Sequence, residues 1–109
     1  MTGTRLPTIV QRYFELAPTT DHEALVALFG DEAVVEDEGS TCAGVDAVRA
    51  WRAGSVPVEY EITDVTERAG GVVVTATITG DFPGSPVPGL RFEFGDLTGG
   101  RINTLSIGL

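Results

Sequence analysis

The stretch Leu25-Val26-Ala27-Leu28-Phe29-Gly30-Asp31-Glu32-Ala33-Val34-Val35-Glu36-Asp37 changes its period halfway along. With Ala24 before it, Leu25, Leu28 and Phe29 fall at steps of three and four, the spacing of one helix face, and Gly30 reads as its end. From Ala33 to Asp37 the side chains alternate instead, as on a strand. Alternation puts Val35 and Asp37 on one face and Glu36 and Glu38 on the other. A core-facing Val35 therefore turns the Asp37 carboxylate inward as well.

Upstream, Thr20 and Glu23 stand at capping-box spacing and are expected to open this helix. Before them, Ile9, Val10, Tyr13, Phe14 and Ala17 form the apolar stripe of a first helix, with Pro7 in its first turn and Pro18 near its end. Downstream, Ala47, Val48 and Trp51 predict a third helix over 45–53, bounded by Gly44 and Gly54. The period then becomes two. Strands are expected over 58–67, with Val58, Tyr60 and Ile62 on one face, and over 72–80 after a Gly70-Gly71 turn. Residues 81–89, with three prolines and two glycines, read as a loop or a broken strand edge. Leu90, Phe92 and Phe94 alternate in the next strand, and Gly99-Gly100 leads into the last, 101–107. The order of elements predicts one α+β domain over 1–109, in which three N-terminal helices pack on a strongly curved antiparallel sheet as a cone-shaped barrel.

Composition narrows the partners. At 109 residues the chain is long enough to bury about 65% of its unfolded surface around one core. Sixteen acidic residues face seven basic ones, all arginine, for a net charge of −9. That balance excludes nucleic acid and anionic membrane surfaces as expected partners, since both require clustered positive charge. No apolar run approaches the ~20 residues of a membrane span, and residues 1–7 lack the pattern of a signal peptide. A single cysteine, Cys42, leaves no disulfide framework. A cytoplasmic location is the expectation.

A curved sheet under helices leaves an apolar hollow, the usual form of a small-molecule site. Two polar side chains are expected inside it: Tyr13, on the buried face of the first helix, and Asp37. A carboxylate at an apolar wall holds a proton more readily and becomes a usable base near neutral pH, and a buried phenol donates to an oxygen gaining negative charge. The plainer readings are a packed core tyrosine and a solvated acidic loop edge. Phe14, Trp51, Phe82, Leu90, Phe92 and Leu105 are the candidates for the apolar, ligand-binding wall.

Taken together, Val10-Gln11-Arg12-Tyr13, the stretch 25–37 and Gly44-Val45-Asp46-Ala47-Val48-Arg49-Ala50-Trp51 resemble the nuclear transport factor 2-like superfamily, which includes SnoaL-like polyketide cyclases and ketosteroid isomerases. The resemblance covers nearly the whole chain and implies the cone fold; fold alone does not fix chemistry. The first forty residues look most like ketosteroid isomerases, where a helix tyrosine and a strand-end aspartate have the separation of Tyr13 and Asp37. It implies that Asp37 moves a proton beside a carbonyl, that Tyr13 stabilises the enolate oxygen, and that no cofactor or metal takes part. It also implies pairing into a homodimer through the sheet.

The sequence departs from that pattern at Leu90, where those isomerases carry a second, protonated aspartate. Losing such a donor typically costs ~2.7–4 kcal/mol of transition-state stabilisation. The Asp-Arg-Asp arrangement of the superfamily's epoxide hydrolases has no clear counterpart here. With the chain ending just past the last strand, a small or open cavity is expected. The competing reading is a non-catalytic module of the same fold that binds an apolar ligand or dimerises. His22, the only histidine, reads as an exposed helix-start residue, and Cys42 as a small wall or loop thiol. The acidic run 36–38 without histidine is weak evidence for a metal.

Overall fold

A computed structural model describes residues 6–54, 58–68 and 70–108. Helix α1 spans Thr8–Leu16, with Pro7 at its N-cap; the Pro7 carbonyl accepts hydrogen bonds from the Val10 and Gln11 amides, both at 3.0 Å. Its 3–4 spacing buries Val10, Tyr13 and, one step on, Ala17. Helix α2, His22–Val26, is shorter than its periodicity suggests. The expected Thr20–Glu23 cap is replaced by Asp21, whose Oδ1 accepts from the Ala24 amide at 3.1 Å. Gly30 does not close this helix but lies in strand β1, Phe29–Asp37, where an added Cβ would run into Asn103 Oδ1.

Strand β2, Ser40–Ala43, was not expected from the sequence. It folds back on β1 with Asp37 opposite Ser40, leaving a two-residue turn of Glu38 (φ 49°) and Gly39 (φ 89°). Two left-handed residues are what such a turn demands, yet Glu-Gly lacks the Asn-Gly or Asp-Gly signature by which it is usually recognised. Helix α3 occupies Val45–Ala53 as predicted. Strands β3 (Glu59–Arg68), β4 (Gly71–Thr79), β5 (Val87–Phe94) and β6 (Ile102–Gly108) follow. A bulge between Ile62 and Asp64 turns Val65, rather than Ile62, toward the interior, and Ile62 is left 37% exposed. Pro88 and Gly89 lie within β5, and its pairing with β4 shifts register there, so 81–89 is a loop running into an irregular strand start.

The sheet order is β2-β1-β6-β5-β4-β3. The sheet is six-stranded, curved, unclosed and mixed: β1 and β6 run parallel, and the other ladders are antiparallel. The expectation of a wholly antiparallel sheet is corrected at that one pair. After β1 the chain passes through α3 and a β-meander, and its last strand slots back between β1 and β5. The helices cover the concave face, where Ala33, Val35, Val72, Val74, Ala76, Phe92, Phe94 and Leu105 form the core with Val10, Tyr13, Leu25 and Val48. Among the described residues no helix is long and apolar enough to cross a membrane.

Candidate functional site

Part of the concave space is not filled. A cavity of about 420 Å³ is lined by Tyr13, Asp37, Glu38, Trp51, Arg52, Gly54, Val58, Tyr60, Ile78, Phe82, Val87, Leu90, Phe92 and Ile107. Tyr13, Asp37, Trp51, Phe82, Leu90 and Phe92, all singled out from the sequence, are brought together there. Phe14 and Leu105 are not on this wall. Phe14 stacks edge-on against Tyr60, Phe92 and Phe94, with ring centroids at 5.6, 5.3 and 5.8 Å. Leu105, 1% exposed, belongs to the packed core. Both are apolar residues on inward faces, and periodicity does not separate a cavity wall from the packing behind it.

Tyr13 is 2% exposed, its ring edge-on to Phe14 and Phe94 at 5.1 and 5.3 Å. Such contacts fix the ring plane and so aim the hydroxyl. Burial holds that hydroxyl well above the ordinary phenol value; Tyr60 pushes the same way, Arg52 pulls against them, and Asp37 adds a smaller push upward. At neutral pH Tyr13 is therefore a neutral donor. Its hydroxyl makes no hydrogen bond among the described residues.

Asp37 ends β1 on the face shared with Val35 and is half-buried. The indole Nε1–H of Trp51, on α3, donates to Asp37 Oδ2 at 3.0 Å. One carboxylate oxygen is thus fixed, and among the described residues Oδ1 accepts no hydrogen bond. Glu36 lies on the opposite face and Glu38 at the exposed turn. Among the described residues, no group of three or more histidine, cysteine or acidic side chains could hold a metal.

Three polar residues of the wall were not among the expected site residues: Glu38, which alternation puts on the face away from Asp37, Tyr60 and Arg52. Tyr60 of β3 is half-buried, and burial raises its hydroxyl above the ordinary value, with Arg52 pulling down and Asp37 pushing up. Arg52 of α3 is 4% exposed. Its Nη2 donates to the carbonyls of Thr19 (2.7 Å), Ala17 (2.9 Å) and Leu16 (3.4 Å), tying α3 to the C-terminal end of α1. The signal was present: Arg52 stands four residues after Val48, on the buried stripe of α3, where an arginine needs a reason. His22 and Cys42 lie elsewhere, His22 half-buried in α2 and Cys42 half-buried on β2 opposite Val35.

Comparison with known proteins agrees with this architecture. The family model of the SnoaL-like domain matches residues 10–103. A candidate polyketide cyclase of Sinorhizobium meliloti is 37% identical, superposes with a TM-score of 0.85, and is matched over 94% of this chain and 95% of its own. A Catenulispora acidiphila protein with a ketosteroid isomerase-like fold, solved with trimethylamine, is 22% identical with a TM-score of 0.81, covering 96% and 87%. A Mycobacterium tuberculosis protein solved with estradiol-17β-hemisuccinate is 16% identical with a TM-score of 0.76, covering 93% and 90%. The last two share the fold at identities that carry no more than that. No curated protein matches the chain. On the extent of the family match and on the shared fold, the chain belongs to the SnoaL-like domain family.

Proposed function

We propose that this protein catalyses cofactor-free proton transfer on an apolar carbonyl compound, with Asp37 as general base and Tyr13 as donor to the oxygen. The observation that carries the reading is the pairing: a buried, protonated phenol and a carboxylate face one cavity of about 420 Å³ with mostly apolar walls. Asp37 Oδ1 takes the proton from the carbon beside the carbonyl. The C–H electrons move to the carbonyl oxygen, which accepts a hydrogen bond from Tyr13. In an isomerisation the same carboxyl returns its proton to the far carbon of a conjugated enolate as the oxygen's electrons re-form the carbonyl. In a cyclisation the enolate carbon attacks a second carbonyl of the same compound, whose π electrons move to its oxygen, and that oxygen takes the proton back from Asp37. Trp51 holds Oδ2 throughout, so the base does not have to be reoriented between steps.

Small organic molecules bound to two proteins of this fold support a ligand-holding cavity. Leu90 favours the second reading, a non-catalytic receptor for an apolar ligand, because it supplies no second donor for the oxygen. Exchange of the α-protons of 2-tetralone in heavy water, followed by proton NMR, separates the two. The enzyme reading expects acceleration that falls at least ~100-fold in Asp37→Asn and about as much in Tyr13→Phe. Undiminished exchange in Asp37→Asn removes Asp37 from the mechanism. Tight binding of the ketone with no exchange at all leaves the receptor. Pairing of two copies through the outer sheet face, with Ile62 exposed on edge strand β3, belongs to the same reading; sedimentation at several concentrations tests it.

A further inference from the structure

Arg52 is a buried cation that has no counter-ion among the described residues. The ion pairs among the described residues involve Arg12, Arg49, Arg68 and Arg91, and none includes Arg52. A guanidinium carries five N–H donors, but here only Nη2 is engaged, by the three carbonyls at the end of α1. Nε is buried with no hydrogen-bond partner, and Nη1 donates to no described group. Leaving a buried charge so poorly served is costly. An apolar ligand that drove water from the cavity would make it costlier, unless the ligand brought an anionic oxygen of its own.

The other charged and titratable groups on the wall decide when that oxygen is welcome. Tyr13 and Tyr60 both feel the Arg52 charge, and each carries a neutral hydroxyl. Asp37 and Glu38 are the negative groups. Glu38 sits at the exposed turn, and Asp37 is bound to Trp51. When Asp37 accepts a proton from the substrate its charge disappears, and one negative charge appears on the substrate oxygen instead. The cavity keeps its charge balance if that oxygen lies on the Arg52 side.

We propose that Arg52, with Tyr13 and Tyr60, makes the cavity a receptor for the ionised oxygen of an apolar ligand, and that its substrates are carbonyl compounds acidic enough to be held as enolates, 1,3-dicarbonyls being the simplest class. The proposal rests on the preceding reading in taking this cavity as the substrate site. It assigns to a cation on α3 the support that Leu90 on β5 does not give.

The probe is 4-nitrophenol, whose neutral and ionised forms absorb at different wavelengths. Titrated against pH in the presence of saturating protein, the bound phenol should ionise about one pH unit or more below the free compound, meaning phenolate held at least about tenfold tighter than phenol. Asp37→Asn should deepen the shift. Arg52→Met should abolish it, and Arg52→Lys, which keeps the charge without the fork, should restore part of it. A purely structural Arg52 would lower the melting temperature in both variants and leave the midpoint of the bound ligand unmoved, which overturns the proposal. A measurement on the unaltered protein guards against variants that do not fold: calorimetry should rank 4-nitrophenolate above nitrobenzene and nitrobenzene above 4-nitrobenzylammonium. The reverse order would mean that Asp37 and Glu38 set the field, and it overturns the proposal, as does failure of either nitrophenol form to bind. Loss of ketone exchange in Asp37→Asn without a phenolate preference strikes out Arg52 and spares the base. A phenolate preference with exchange intact in Asp37→Asn supports Arg52 and strikes out the base.

Discussion

Tyr13 shows how a single residue can belong at once to the packed core and to the cavity wall. Its hydroxyl is buried, kept protonated, and free of any described partner, so Tyr13→Phe removes no hydrogen bond that the fold depends on. The raised values of Tyr13 and Tyr60 have a consequence in alkali. A group whose proton is held more tightly in the folded state contributes stability that is complete below its unfolded value, 10.0 here, and is lost as pH rises through the folded one. Urea melts repeated at increasing pH should therefore show stability falling from pH 10.0 upward, and Tyr13→Phe should flatten that fall. An equally steep decline in the variant would place the sensitive group elsewhere. Tyr13 and Asp37 were legible in the sequence because each lies on the inward face of a regular element. Trp51 as the partner of Asp37 was not, since that contact joins residues fourteen apart on different elements. Arg52 was passed over because composition alone treats arginine as a surface residue.

At the scale of elements, local chemistry decided what could be read. Helix α3 and the three strands β3, β4 and β6 fell within a residue or so of their expected limits, because each carries a clear period and a glycine or proline boundary. Strand β2 was missed because its four residues have no apolar alternation and its turn has no familiar signature. The start of α2 was misplaced by one residue: Thr20 has the capping-box spacing, but Asp21 makes the bond. That assignment is checked by a pair of variants. Asp21→Ala should lower stability by about 0.5–2 kcal/mol in thermal or urea melts, while Thr20→Ala should change it by much less. Equal losses would mean that the two side chains share the cap.

For the whole molecule, the parallel β1–β6 pair matters most and was the least legible, since pairing between the first and last strands leaves no local pattern. β6 lies between β1 and β5 and joins the half of the sheet nearest the helices to the meander of β3, β4 and β5. A chain cut before Ile102 should therefore lose cooperative unfolding and near-ultraviolet dichroism, not simply one strand's worth of stability. A cooperative melt in the shortened chain would show that β1 and β5 can close without β6. The bond between Trp51 and Asp37 also gives the molecule an optical property. The chain contains one tryptophan, and its indole N–H is bound to the candidate base, at the cavity wall. All of the protein's tryptophan emission thus originates beside that carboxylate. Protonation of Asp37, or a ligand drawing it away, changes the acceptor the excited indole sees, so events at the site are reported in bulk fluorescence without any label.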